Sequence, residues 1–255
     1  MMADPCSTEP CRRAAAAVPW GLWLPLRAML LARGAAYLVR RAAEWLWFAS
    51  PKMADFGYSV QNLERAALRA IALQWVVGYG VLMAESAGLL RRRYGLALAD
   101  IGWHARCGGR WLLAGAATGI ANGLLMYRLV HWWLGHALPG WRYTGMFGPP
   151  VAWWLPVHLL CTAGLASVAE EIAFRGMLFP LLRGRLGTAA AVALTTAAFL
   201  VWHLPLPQFG PQATGIVSSG LICCLLVAAS GSLLPAVVSH LSNNAFVLLW
   251  SYAFG

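Results

Sequence analysis

The last 70 residues of the chain, 186–255, contain no Asp, Glu, Lys or Arg. A stretch of that length without charge cannot build a water-facing surface. Its apolar residues come instead in runs long enough to cross a hydrocarbon core about 30 Å thick. The whole chain agrees: 60% of its 255 residues are hydrophobic and 11% charged, with a mean hydropathy of +0.62, against roughly 45–50% apolar and about 25% charged in a soluble domain. These proportions exclude a soluble globule, a disordered chain and a disulfide-stapled scaffold. They predict an all-α, polytopic transmembrane helical bundle of about 6–8 helices, an integral multi-pass protein of the cytoplasmic (inner) membrane if the source is bacterial.

Nineteen basic residues, of which only Lys52 is a lysine, face nine acids, a formal net charge of +10. Such an excess often marks a nucleic-acid partner. Here the arginines gather at the ends of apolar runs, as at Arg91, Arg92 and Arg93, where they anchor helices to anionic headgroups on the cytoplasmic side. The expected partners are therefore the lipid bilayer and a protein or peptide, with no nucleic acid. Nothing in the sequence sets an oligomeric state. Of the six cysteines, Cys223 and Cys224 sit inside an apolar run and Cys6 and Cys11 in the polar start, which suggests neither a metal cluster nor a disulfide framework.

The chain divides into a polar tail over 1–13, a variable set of N-terminal membrane helices over 14–142 and a helical core over 143–255. Residues 14–32, interrupted by Arg27 and bounded by Arg33, read as a weak first span or an interfacial helix; 35–49, with Arg40, Arg41 and Glu44, reads as a surface helix. Good spans cover 66–90 and 111–134, and Gly115 and Gly119 in the latter form a small-xxx-small pair suited to close helix approach. After Pro149-Pro150 a long helix reaches 182, followed by spans over 188–204, 213–229 and 233–254. Arg183-Gly184-Arg185-Leu186-Gly187 and Ser230-Gly231-Ser232 read as tight turns, and Pro205-Leu206-Pro207 as a helix terminator. The fourteen tryptophans gather near span ends, as an interfacial belt requires.

From Tyr143 onward the only charged side chains are Glu170, Glu171, Arg175, Arg183 and Arg185. An acid inside a membrane costs at least about 2.5–3.5 kcal/mol and normally faces a bundle interior or a wet cavity. Helix spacing separates the two acids: Glu171 and Arg175 are i,i+4 and share a face, whereas Glu170 points about 100° away and remains available. Phe199 and His203 are i,i+4 on a second helix, His240 and Asn244 on a third. Counted from the turns at about 1.5 Å per residue, Glu170 lies about 20 Å deep, His203 about 24 Å, His240 about 12 Å and Asn244 about 18 Å. The four groups can converge. A carboxylate and an imidazole together are the usual parts for activating water; the competing reading is that the acids only lock helices together through arginines.

Three motifs stand in order on these apolar segments. Glu170-Glu171-Ile172-Ala173-Phe174-Arg175-Gly176 is similar to EExxxR with a Phe-Arg-Gly ending, Phe199-Leu200-Val201-Trp202-His203 to FxxxH, and His240-Leu241-Ser242-Asn243-Asn244 to HxxxN. With these the chain, over roughly 153–250, strongly resembles the CPBP family (CAAX proteases and bacteriocin-processing enzymes, also called Abi), glutamic-type intramembrane endopeptidases. The resemblance implies a hydrolase that cleaves peptide bonds inside the membrane: Glu170 and His203 activate water, His240 and Asn244 bind the developing oxyanion, Glu171 and Arg175 support the site and Phe199 is a packing wall. It implies no cofactor.

Alternatives follow from the same residues. Glu170, His203 and His240 could form a His₂Glu zinc site with an open position, although the chain has no HExxH helix. Asp4, Asp55 and Asp100, the only aspartates, lie outside good spans, which argues against an aspartyl dyad, and no GxSxG elbow is present. A proton-coupled transporter would need a repeat that is not visible, and a non-catalytic binding or immunity scaffold could use the same cavity. Asn243 is expected to be structural, Glu85 to snorkel to the interface near Arg91, and His104, His131, His136 and His158 to be interface or packing residues.

Overall fold

The computed structural model describes residues 18–48, 60–137, 154–204 and 211–254; the 1–13 tail, Pro149-Pro150 and Pro205-Leu206-Pro207 lie outside them. Among the described residues the chain is an all-α bundle of six helical stretches with no strand, one of them broken at Gly187, and six is the low end of the expected number. Three stretches are long and apolar enough to cross a membrane: Ala67–Tyr94, Leu155–Trp202 and Ala213–Ser230.

Helix α1 (Trp23–Phe48) packs along α2 (Val60–Tyr94). The sequence divides this N-terminal region into two short pieces, yet α1 runs through the divide unbroken. Its inner face explains this. Ala28 and Ala32 are buried, and a Cβ on Gly78 of α2 would sit 3.0 Å from the Ala36 Cβ, so a seam of small residues draws the helices together while Leu30, Leu31 and Leu38 stay exposed. Arg40 and Arg41 are compensated on their own helix by Glu44, at 2.9 and 2.7 Å. Glu85 does not reach toward Arg91 but faces Arg27 across the seam at 3.7 Å.

The central run Leu155–Trp202 has 48 residues, too many for one crossing at about 1.5 Å per residue. It comprises α4 (Leu155–His158), a π-helical turn (Leu159–Leu165), α5 (Ala166–Glu171), a second π-helical segment (Ile172–Leu178) and α6 (Phe179–Trp202). Pro180 accounts for the second widening: it offers no N–H and its ring presses on the carbonyl four residues back, so the Phe179 N–H bonds Phe174 O, five back. The expected 183–187 turn proves to be a reversal at one residue, Gly187, with φ 80° and ψ 171°, a conformation that L side chains rarely adopt.

The return half of α6 packs against α7 (Pro211–Ser230), and α8 (Leu234–Phe254) lies along α3 (Gly109–Ala137). The close approach expected of Gly115 and Gly119 is present. A Cβ on Gly115 would strike the Pro235 backbone, one on Gly119 the Ser239 backbone, and one on Gly123 the Phe246 ring, so the seam extends to a third glycine. Leu89 and Leu90 of α2 pack with Met177, Leu181 and Leu233, which sets the Arg91–Arg93 cluster and the Gly187 reversal at the same end of the bundle. The tryptophan belt is incomplete: Trp20 and Trp154 are buried, and the Trp20 indole N–H donates to Met177 O at 3.1 Å.

Replacing Gly119 with Leu forces α3 off α8 and should cost at least about 1–3 kcal/mol, the usual range for overpacking. Gly80→Ala, where a Cβ meets nothing within 4 Å, should be neutral or stabilise by up to about 1 kcal/mol. Thermal unfolding of both variants in one detergent checks the difference in sign.

Candidate active site

Glu170 and Glu171 end α5 and point different ways, as their helical spacing predicts. Glu171 is fully buried and accepts from Arg175 Nη1 at 2.8 Å. Arg175, also buried, sends Nη2 to the Gly220 carbonyl of α7 at 3.1 Å and lays its guanidinium 4.4 Å over the Phe199 ring. The pair therefore ties the motif helix to α7 and α6. Gly220 has no signature in the sequence.

Helix α8 brings His240 to the same carboxylate, with Nδ1 3.0 Å from Glu171 Oε1. A carboxylate paired with arginine only accepts, so Nδ1 is the donor and its proton lies there. The opposite nitrogen, His240 Nε2, faces Glu170 Oε2 at 3.8 Å. His203 is fixed by a related device at the end of α6. Its N–H bonds Leu200 O at 3.0 Å, three residues back, so the Phe199 carbonyl lacks its helical donor and the His203 Nδ1–H fills that place at 2.8 Å. His203 Nε2 then faces Glu170 Oε2 at 3.9 Å.

Glu170 is not left free on its other side. Its Oε1 accepts the Trp202 indole N–H at 3.0 Å, and the Tyr79 phenol of α2 stands within side-chain hydrogen-bond reach. Trp202 adjoins His203 in the sequence, and a buried indole N–H seeks an acceptor, a signal available before the fold. Tyr79 carries no such mark. Phe199 packs edgewise against both imidazoles, with ring centroids 4.6 Å from His203 and 5.7 Å from His240.

One turn beyond His240, Asn244 donates from Nδ2 to the Thr162 carbonyl at 2.8 Å. That carbonyl is available because of the first π-helical turn: the Ala166 N–H, which in an α-helix would bond Thr162 O, bonds Cys161 O instead. Asn244 Oδ1 accepts from Asn243 Nδ2 at 3.0 Å, Asn243 Oδ1 from Asn122 Nδ2 at 2.9 Å, and Asn122 Oδ1 from the Ser218 hydroxyl at 2.5 Å. A polar chain thus runs from α7 through α3 to Asn244. Asn243 is a link in it, whereas Asn122 was not marked by any motif. His158 is buried, stacked on Trp75 at 5.1 Å and 3.3 Å from the Tyr252 hydroxyl, a packed position apart from Glu170. The side chains of His131 and His136 lie outside the described residues.

Among the described residues, no three or more His, Cys, Asp and Glu side chains are grouped so as to hold a metal ion. Glu170, His203 and His240 come nearest, but ligands about 2.0–2.1 Å from a tetrahedral zinc stand about 3.3 Å from one another, less than the 3.8 and 3.9 Å measured from Glu170 to the two imidazoles. No step below passes through a metal.

Residues 152–246 match the family model described as type II CAAX prenyl endopeptidase Rce1-like. All three motifs fall inside the match; α1, α2 and α3 fall outside it. No curated protein and no solved structure matches the chain significantly. The matched family is one of membrane proteases within the CPBP family, and with its three span-length helices the chain is an integral membrane protein.

Removing Asn122 strands the Asn243 Oδ1 acceptor, while the Ser218 hydroxyl can still donate to Gly215 O at 3.1 Å. Asn122→Ala should destabilise the protein by about 1–3 kcal/mol, the cost of a broken buried hydrogen-bond link, read as a lower unfolding temperature in detergent.

Proposed function

We propose, from the premise that residues 152–246 are an Rce1-like domain, that the chain is an intramembrane endopeptidase acting on a membrane-associated protein or peptide through a Glu170/His203-activated water and a His240/Asn244 oxyanion site. The observation that supports this most strongly is the meeting of two acceptor atoms, Glu170 Oε2 and His203 Nε2. Glu170 Oε2 has His203 Nε2 at 3.9 Å, and the hydrogen bond at Nδ1 leaves that Nε2 with its lone pair, while His240 Nε2 stands 3.8 Å from the same oxygen. Acceptors cannot satisfy one another. A water placed between Glu170 and His203 supplies two donors and keeps a lone pair for attack.

The atoms then balance as follows. The water oxygen adds to the substrate's carbonyl carbon while Glu170 Oε2 takes one of its protons, and His203 Nε2 holds the other O–H in line. The carbonyl oxygen becomes an oxyanion. Asn244 meets it with its second amide N–H, the first being committed to Thr162, and His240 meets it from Nε2. For that nitrogen to donate while Nδ1 donates to Glu171, the ring must carry both protons. Collapse of the adduct breaks the C–N bond, and the proton held by Glu170 passes to the leaving amine.

In this reading Glu171 and Arg175 are positioning residues for His240, and Trp202 holds Oε1 of Glu170 so that Oε2 faces the histidines. The mechanism uses no cofactor. A binding or immunity scaffold would need none of the lone-pair convergence, and nothing in the arrangement favours a transport relay over it.

Glu170→Gln should lower the cleavage rate by about 10²–10⁴-fold, the contribution of a general base, with substrate binding retained. Asn244→Ala should cost about 10²–10³-fold, as for one oxyanion donor. Cleavage of a quenched peptide by the protein in lipid nanodiscs, with and without a zinc chelator, checks both. Unchanged rates in Glu170→Gln would remove the enzyme reading, and loss of activity on chelation would replace the metal-free one.

A further inference from the structure

Three of the four asparagines in the chain are hydrogen-bonded in a row that ends at Asn244. The first of them, Asn122, is buried on α3, outside the family match. Every contact in the row has one polarity. Asn122 Nδ2 donates to Asn243 Oδ1 at 2.9 Å and stands 3.4 Å from the Gly215 carbonyl, while Asn122 Oδ1 accepts from the Ser218 hydroxyl at 2.5 Å. A flipped Asn122 would set its oxygen against Asn243 Oδ1 and Gly215 O, two groups that only accept. At the far end the Thr162 carbonyl, another pure acceptor, takes Asn244 Nδ2 at 2.8 Å. A carbonyl at each end thus decides which atom of every amide points where.

We propose that Asn122 is a positioning residue, setting through Asn243 the direction of the Asn244 N–H that meets the oxyanion. The inference rests on the endopeptidase reading and assigns part of its oxyanion geometry to a helix outside the matched domain. One hydrogen bond leaves a carboxamide free to turn about the donor–acceptor line. The second, from Asn243 Nδ2 to Asn244 Oδ1 at 3.0 Å, fixes the plane of the amide, and with it the N–H that Thr162 does not use. Asn243 holds its own orientation because its buried oxygen has a donor in Asn122; an unmet oxygen there would turn to seek one. An oxyanion donor acts only within about 2.7–3.1 Å of the atom on which charge develops. A turned amide therefore loses transition-state stabilisation and keeps substrate binding, the signature of which is a lower kcat at constant KM. Thr118 provides the contrast. It lies one turn earlier on α3, with its hydroxyl 3.3 Å from that of Ser239 on α8, and is outside the row.

The test uses the full chain in lipid nanodiscs and Asn122→Leu, which keeps the size of the side chain and removes its donor. Its kcat toward a quenched peptide should fall about 3–30-fold, less than the about 10²–10³-fold of losing an oxyanion donor outright. KM should stay within about twofold. Thr118→Val should keep the wild-type kcat, and in an Asn244→Ala background Asn122→Leu should cost nothing further, because residues acting through one another are not additive. A wild-type kcat in Asn122→Leu, an equal loss in Thr118→Val, or a loss that adds in full to Asn244→Ala overturns the proposal. Asn122→Ala, measured below its lowered unfolding temperature, serves if the leucine variant fails to fold. A second readout needs no catalysis. With isotope-labelled asparagine the chain gives four side-chain amide signals, of which that of Asn244 is identified by its loss in Asn244→Ala. This signal should shift in Asn122→Leu and stay in place in Thr118→Val; an unmoved signal in Asn122→Leu overturns the link. A moved signal in a protein whose wild type cleaves nothing would sink the endopeptidase reading and leave the control of Asn244 by Asn122 standing.

Discussion

Two adjacent carboxylates can persist inside an apolar bundle only if something nearby carries the opposite charge, and here Arg175 does. Buried 2.8 Å from Glu171, it pairs with one of the two acids. From that pair the rest of the site follows in order. Glu171 takes the Nδ1–H of His240, which aims the other face of that ring at Glu170. Breaking a buried pair by removing one member typically costs about 3–5 kcal/mol, because the remaining charge is stranded. The ion pair is therefore less a source of net stability than the reason this packing, and no other, can place Glu170 among the histidines.

The backbone supplies the remaining anchors, and it does so where helices are irregular. A regular α-helix uses all its interior carbonyls internally and has none to offer a side chain. The first π-helical turn frees Thr162 O for Asn244, and the tightened last turn of α6 frees Phe199 O for His203. In a membrane an unpaired carbonyl is costly, so each freed group finds a donor, and in both cases the donor belongs to one of the three motifs. The irregularities and the functional side chains are mutually required: each leaves the other unsatisfied if it is lost.

This explains what the sequence could and could not disclose. Long apolar runs, a charge-free C-terminal third and i,i+4 spacings follow from local geometry, so the helical bundle, the separate directions of Glu170 and Glu171, and the Glu171–Arg175 pair were legible. The proximity of His203 and His240 to Glu170 was legible only as a permissive depth count. What remained hidden depends on three-dimensional approach. Tyr79, Asn122 and Gly220 lie on helices whose sequences are otherwise ordinary, and a carbonyl partner has no residue type. The one continuous α1 was hidden for a related reason: Arg33 reads as a boundary, and Arg40 and Arg41 as marks of a separate surface helix, until Trp202 is seen beneath Arg33 and Glu44 beside the other two.

The N-terminal helices show how a part of the chain outside the family match can still shape the site. Their packing asks little of sequence identity. The seams at Ala28, Ala32 and Gly78, and at Gly115, Gly119 and Gly123, require only that side chains be small, because the opposing surface is backbone, another small residue or, at Gly123, the face of the Phe246 side chain. Many sequences meet that condition, so the surrounding positions can vary without disturbing the docking. The same close approach brings a few long polar side chains within reach of the core: Tyr79 toward Glu170, Asn122 into the chain that ends at Asn244, and Arg33 over Trp202. The motif residues can thus keep their geometry on α5, α6 and α8 while α1 and α2 form the outer wall.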